Sequence, residues 1–564
     1  MFKNLITKSK SLAGPQSTIL SAATLIMLMI IVSRIFGFLR LRVLAYYFVD
    51  EKLSLFFASF RLPDLIFEVL TLGVLSSAFI PVFTKALKKD EKSAWDIAGR
   101  AVNIGLLIFA VMSLVFGLLA GRIYKLIAPG YSPEQVGEVA DLAKILFAAQ
   151  GFFVVSYIMT GVLESQRRFL IPALAPIFYN LGIIVGTILF AEKLDLLAPV
   201  IGVIIGASAH FIVQLPLAYR LGFRFVPSLV PDEGLKKIGR LAAPRIIELS
   251  FLQGSRMVEL FLASMISLGA YAHYNFALSL QALPVGLFGT SMAKAALPTL
   301  TSQSDDLAVF RKTLLKTLYQ LIFLISPMTM MLIVLRVPVV RLVFGTNIFD
   351  WEATLETGFV LSAFALGVPF QAAVALLNRA FYALHNTKTP VLISLFSAGI
   401  TAFLGYVLVI EFEMSTWAIA AAFSVGVGVQ AVILFALLSK KLNGGTFFAL
   451  LPIVKSILSS LISGSVMFFI LKFFDRSVWI KKLSFLGGVE TQNINFEIFV
   501  IDTRYTFNLL VLTFVTALIG GITYLLCAWM LRSEELYVLV NIFRKRRFTP
   551  PPAKESELIT VDRD

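Results

Sequence analysis

Charge is scarce in this chain: 15% of its 564 residues are Asp, Glu, Lys or Arg, against 58% hydrophobic. So little polarity cannot cover a water-exposed surface, which excludes an ordinary soluble globule. Cysteine is scarcer still: Cys527 is alone, so no intramolecular disulfide can form. The three histidines, His210, His273 and His385, are widely spaced and make no zinc motif; packing or headgroup roles are expected for each. No glycine-rich phosphate loop is present, so hydrolysis of ATP is not expected. Short alternating strands, which a barrel would need, are missing. A Ser/His/Asp arrangement and a re-entrant filter motif are missing too. No cofactor or metal is expected, and no motif designates a coupling ion.

Long apolar runs are abundant. A helix needs roughly 20 apolar residues to cross the hydrocarbon. Such runs fall near 19–44, 53–83, 97–120, 138–163, 171–191, 197–219, 243–267, 271–298, 312–335, 354–383, 389–410, 416–439, 447–471 and 506–531. The expected fold class is therefore an all-α integral membrane protein with about fourteen transmembrane helices. The first run is too long for a signal peptide and lacks a small-residue cleavage site, so it reads as the first span.

The net charge of +15 is distributed by loop. One alternate set collects Lys85, Lys88, Lys89 and Lys92, then Arg167 and Arg168, then Arg220, Arg224, Lys236, Lys237 and Arg240. It continues through Arg311, Lys312, Lys316, Lys388, Lys440 and Lys441 to Arg544, Lys545, Arg546 and Arg547. The opposite loops are acidic or mixed, as at Asp50–Glu51, Glu192–Asp195 and Glu411–Glu413. This is the positive-inside pattern, and it places both ends on the cytoplasmic side. The basic residues are then a topology and anionic-lipid signal rather than a nucleic-acid site.

The basic segment 220–242, with Pro227, Pro231 and Gly234, reads as a cytoplasmic linker. It divides an N-lobe of six helices (19–219) from a C-lobe of six (243–440). Ala78-Phe79-Ile80-Pro81 and Ala295-Ala296-Leu297-Pro298 end corresponding spans, and Pro63/Gly73 and Pro284/Gly289 precede them. Weak internal symmetry of this kind is typical of transporters, whose substrate sites lie between the repeats. Residues 1–18 are expected to be a cytoplasmic segment. Residues 441–531 would hold two appended helices with a long outer loop at 472–505, and 532–564 a basic disordered tail.

Ionisable groups inside spans are the informative residues, since each costs about 2.5–3.5 kcal/mol at bilayer depth on insertion scales. The first span carries Arg34, Arg40 and Arg42, with Ser33 beside them and Gly37 as a possible bend that turns two arginines inward. The second carries Arg61, Asp64 and Glu68 on one stripe. The seventh carries Arg245, Glu248, Arg256 and Glu259, and Lys294 lies toward the inner end of the eighth. Arg–Glu pairs one turn apart on the seventh span read equally as internal salt bridges. Surplus positive charge on the early spans suits an anionic substrate, and the planar guanidinium fork suits phosphate or carboxylate oxygens.

Ser33-Arg34-Ile35-Phe36-Gly37-Phe38-Leu39-Arg40 resembles the first-helix motif of the MurJ/MviN lipid II flippases, within the multidrug/oligosaccharidyl-lipid/polysaccharide exporter superfamily. Arg61-Leu62-Pro63-Asp64-Leu65 and Gly73 to Pro81 resemble the second helix. Arg168-Phe169, Ile171 to Pro176 and Asn180 resemble the junction of the fourth and fifth. Pro284 to Gly289, Leu297-Pro298 and, most specifically, Asn378 to Pro390 extend the likeness over about residues 20–440. The resemblance implies transport of undecaprenyl-diphosphate-linked disaccharide-pentapeptide from inner to outer leaflet by a monomer in the bacterial inner membrane. It also implies two lobes around a cationic cavity and a groove for the lipid tail at the last two helices. Arg34, Arg40 and Arg61 match basic positions of the family, while Leu41, Ser54, Phe67, Leu72 and Ser279 stand where the family carries charges. Arg256 is the expected substitute for the charge missing at Ser279. The rival readings are an exporter of another lipid-linked oligosaccharide or a drug, and a membrane-embedded glycan polymerase or ligase. The first rival, for cationic drugs, would want surplus carboxylates in the cavity, and the second would want catalytic carboxylates in the outer loops.

Overall fold

The computed structural model describes residues 19–72, 78–225, 228–230, 233–442, 450–475 and 501–544. Within them the backbone is helical almost throughout, and the one strand-like pairing is a parallel bridge between Asp475 and Ile501. The chain begins with α1 (Ile19–Tyr47), α2 (Asp50–Ser59), α3 (Arg61–Phe67), α4 (Ile80–Lys89) and α5 (Glu91–Ile127). Then come α6 (Pro133–Ser165), α7 (Leu170–Leu194), α8 (Leu197–Ile212), α9 (Leu215–Arg220) and α10 (Glu233–Ile266). After it follow α11 (Ala270–Pro284), α12 (Ser291–Ser302), α13 (Leu307–Val334), α14 (Arg336–Phe344) and α15 (Trp351–Ala383). The last are α16 (Lys388–Tyr406), α17 (Trp417–Lys441), α18 (Leu451–Phe474), α19 (Thr506–Met530) and α20 (Glu534–Arg544).

Eleven helical stretches among the described residues are long and apolar enough to cross a membrane. Their outer faces confirm the solvent they are built for. Leu114, Leu118, Leu189, Phe403, Val432, Phe507 and Phe514 are each between 62% and 78% exposed. Water would penalise that surface, and lipid does not. The protein is thus a multi-pass membrane protein. Three of the expected spans, at 19–44, 53–83 and 243–267, are not among the eleven: each includes residues whose side chains lie outside the described ones, and the second is also broken at Phe60.

The break at Phe60 is dictated by Pro63. Proline has no N–H to give the Ser59 carbonyl, one turn back. The Tyr124 hydroxyl of α5 donates to that carbonyl at 2.9 Å and to Ala58 O at 3.2 Å. The new helix, α3, therefore starts at Arg61 and sets the direction of Arg61 and Asp64.

Irregularities recur at a nearly constant interval. A π-helical segment at Glu68–Leu72 is matched by one at Val285–Thr290, whose first residues are 217 positions apart. Left-handed Arg167 (φ 59°) ends α6 and left-handed His385 (φ 57°) ends α15, 218 positions later. In both, the next residue's N–H reaches back to a carbonyl five residues earlier, Arg168 to Leu163 and Asn386 to Phe381, each at 2.9 Å. Asp195 (φ 47°) and Glu413 (φ 49°) are again 218 apart. Non-glycine residues rarely adopt this conformation, so its recurrence is structured rather than incidental.

Some boundaries differ from those expected. Helix α10 begins at Glu233, so the non-helical linker is confined to 221–232, of which 226, 227, 231 and 232 lie outside the described residues. The expected disordered tail at 532–564 is helical over Glu534–Arg544, because Leu536 is buried against the Tyr524 and Phe323 cluster. Residues 1–18, 545–564 and most of the loop at 472–505 lie outside the described residues.

Candidate functional site

Along α1, Ser33, Arg34, Gly37 and Arg40 line one cavity of about 580 Å³. The helix is unbroken from Ile19 to Tyr47, so the bend expected at Gly37 is not what brings the arginines together. Met29, Ile30, Ser33, Arg34, Gly37, Phe38, Arg40 and Leu41 all line the cavity. At about 100° per residue they cover roughly half the circumference of α1, and Arg34 and Arg40 fall about 120° apart within it. A wide face accomplishes what a kink was expected to do. At Gly37 an added Cβ would meet nothing within 4 Å, so the glycine widens the cavity.

The facing wall is α7, with Pro172, Pro176, Tyr179 and Asn180, and the end of α6, with Glu164. The second half of the chain adds Ser279, whose hydroxyl donates to Asn275 O at 2.8 Å. The position that resemblance marks as cationic therefore does face the cavity, without a charge. Arg40 sits over the Tyr179 ring at 6.0 Å, within cation–π range, and its buried Nε has no hydrogen-bond partner. Arg34 is exposed to the cavity.

The remaining predicted residues form a second, separate cluster. Arg61 lies 3.6 Å from Asp64 and over the Tyr271 ring at 5.9 Å. Asp64 accepts from Gln150 Nε2 at 2.9 Å. Glu68 accepts from Arg256 Nη1 at 2.9 Å and from Gln253. Glu259 makes no ion pair with Arg256 or Arg61. Arg256 thus pairs with α3's π-helical extension and not with Glu259 on its own helix. The expectation that Arg61 and Arg256 add free positive charge to the cavity is corrected: each has a carboxylate beside it, and neither lines the cavity. Lys294 is exposed on α12, away from both groups. Arg245 and Glu248 have side chains outside the described residues.

Beyond the deep end of the cavity the two parts of the chain are stitched together. Arg42 Nη1 donates to the carbonyls of Leu342 (2.8 Å) and Val343 (3.0 Å) at the end of α14, where a cation also suits the helix dipole. Thr346 Oγ1 donates to Ala45 O at 2.7 Å. Ser54 Oγ accepts from Ala272 N at 2.9 Å, and Asp50 meets His273 Nε2 at 2.8 Å. Behind these ties Phe276 packs on Phe344, with ring centroids 4.6 Å apart. Sequence reasoning missed this set, because each tie joins residues more than two hundred positions apart.

The close approach of His273 Nε2 holds the Asp50 carboxyl below the usual carboxylate range. A depressed folded-state value means that the carboxylate stabilises the tie at neutral pH and that this contribution is lost as pH falls through the lowered value. Thermal unfolding of Asp50→Asn in micelles should therefore lie below wild type at neutral pH. The two should converge in acid, and a gap that persists unchanged there would show that ionisation of Asp50 plays no part.

A helical bundle with guanidinium groups in an interior cavity has the fold of the MOP-superfamily transporters. The structure described as "Inward-facing conformation of a multidrug resistance MATE family transporter of the MOP superfamily" aligns with a TM-score of 0.60 at 13% identity, over 73% of this chain and 94% of that one. The chain belongs to the MurJ family of lipid II flippases: the family model "Lipid II flippase MurJ" matches residues 44–489. The structure described as "Lipid II flippase MurJ, inward closed conformation" aligns with a TM-score of 0.71 at 22% identity, covering 90% of this chain and 98% of that one. The "Probable lipid II flippase MurJ" of Buchnera aphidicola subsp. Acyrthosiphon pisum (strain APS) is 26% identical over 466 residues, 80% of this chain and 90% of the relative. This is a family of transporters, not of enzymes.

Proposed function

We propose that the chain is a flippase that moves lipid II, a polyprenyl-diphosphate-linked peptidoglycan precursor, from the inner to the outer leaflet of the bacterial cytoplasmic membrane. The observation that carries this reading is the pair Arg34 and Arg40 in a cavity walled by apolar helices, with Arg40 short of a partner. A diphosphate supplies the oxygens such forks bind. The recurrence of π-segments and left-handed helix ends supports six helices repeated once, with α18 and α19 appended, for fourteen spans in all. On that layout an N-lobe over 19–219 and a C-lobe over 243–440 rock about the cavity, and the protein acts as a monomer among anionic lipids.

With positive loops inside, the stitched end faces outward and the Glu164 end of the cavity faces the cytoplasm. Binding alone moves nothing; membrane potential can supply direction, since one charge through 100 mV is worth about 2.3 kcal/mol. Complementation of a cell depleted of its own lipid II flippase tests the reading, with lipid II accumulation in the inner leaflet as readout. Continued accumulation despite normal insertion would overturn it.

Orientation has its own test. In a Cys527→Ser background, single cysteines within 84–96, 220–242 and 532–564 should resist an impermeant thiol reagent in intact cells. Cysteines within 121–137 and 473–505 should react. Labelling of the 220–242 segment in intact cells would reverse the assignment.

A further inference from the structure

Among the residues that line the cavity, Glu164 is the one carboxylate. Its placement is costly in two ways. It occupies the last turn of α6, where the helix dipole disfavours a negative charge. It is also half-buried, and no described hydrogen bond or ion pair reaches its carboxylate. A structural acid would have a partner that repays this cost, as Asp64 and Glu68 do nearby. An ionisable group without one, facing a cavity, is the ordinary signature of a ligand contact.

Its position along the cavity says which part of a ligand it meets. Phe153 packs on Tyr179 with centroids 5.1 Å apart, and Tyr179 lies under Arg40. Phe153 therefore marks the level of Arg40 on α6. From Phe153 to Glu164 is eleven residues of continuous helix, about 16 Å toward the cytoplasmic end at 1.5 Å per residue. The cavity is bipolar along its length: Arg40 lies deep beside Tyr179 and Asn180, Arg34 lies six residues or about 9 Å nearer the mouth on α1, and Glu164 is the carboxylate at the mouth.

We propose that Glu164 is a cation subsite that receives the free ammonium of the precursor's peptide while the diphosphate lies on Arg34 and Arg40. This rests on the lipid II reading and adds to it. With the diphosphate held by Arg34 and Arg40, the rest of the headgroup extends toward the cytoplasmic end, where its peptide reaches Glu164. A peptide that is to be cross-linked later carries a free amine until then. A carboxylate at this point attracts that amine and repels the peptide's own carboxylates, so it orients the headgroup as well as holding it.

The test compares binding of lipid II with that of lipid II acetylated on the peptide amine, using the full-length purified chain. Wild type should prefer the free-amine form by about tenfold, the effect of a half-exposed charge pair. Glu164→Gln, nearly isosteric, should bind both forms alike, at the level wild type shows for the acetylated one. Glu164→Asp should keep part of the preference. Equal binding of the two forms by wild type would overturn the subsite alone. So would Glu164→Gln weakening both forms alike, because the carboxylate would then be accepting from a sugar or amide. No binding of either form to wild type would overturn the lipid II reading, and the subsite with it.

Discussion

Arg40→Ala is expected to abolish transport while the protein still inserts and folds. Arg40 lines the cavity, lies 6.0 Å from the Tyr179 ring centroid, and has an unpartnered Nε. Its removal costs the bundle little and deprives a diphosphate of its fork. Charge-assisted hydrogen bonds contribute about 1.5–3 kcal/mol each, so lipid II affinity should fall roughly ten- to a hundredfold. Arg34→Ala should behave likewise. Arg40→Lys should recover only part of the activity, because a point charge cannot reproduce bidentate geometry. The checks are complementation and direct binding, with membrane insertion as the control. Full activity of both alanine variants would remove the cavity as the headgroup site.

Arg256→Gln is expected to destabilise the protein, and Glu68→Gln in the same chain to restore it. Arg256 and Glu68 join α10 to the segment after α3 at 2.9 Å, with side chains 45% and 23% exposed. Breaking a fully buried pair costs about 3–5 kcal/mol, because the surviving charge is left alone. Solvent reaches this pair, so about 1–2 kcal/mol is the expected loss. The double variant leaves no orphan charge and should unfold near the wild-type temperature. Adding Glu259→Gln to Arg256→Gln should restore nothing, because Arg256 makes its ion pair with Glu68 at 2.9 Å and none with Glu259. Rescue by Glu259→Gln instead of Glu68→Gln would mean that the pairing lies within α10.

Much of this architecture was legible from patterns that lipid imposes on any chain. Apolar runs of span length, basic alternate loops and a few tolerated charges follow from the cost of exposing backbone and charge to hydrocarbon, and they are written locally. Arg34, Arg40, Ser33 and Gly37 were recognisable as cavity residues because a charge on an apolar span must find polar company. Pro81 and Pro298 hinted at a repeat that the π-segments and left-handed ends support more fully. Glu164 could have been noticed as an acid in the last turn of an apolar span, but nothing in the sequence says that its neighbours leave it without a partner.

Pairing was not legible. Arg256 has a glutamate one turn along its own helix, and helical spacing favours that partner. The packing of α10 against the π-helical stretch brings Glu68 closer. Arg61 shares a stripe with Asp64 in the sequence, but only the structure shows the two 3.6 Å apart and Arg61 off the cavity lining. Asp50 and His273 are far apart in the chain, yet together they help to close one end of the bundle. The sequence by itself determined that this chain lives in a membrane and which segments are apolar enough to cross one, because solvent partition acts residue by residue. Only the tertiary structure decided which charges neutralise one another and which remain open to a ligand, because that depends on how helices distant in sequence turn their faces to each other.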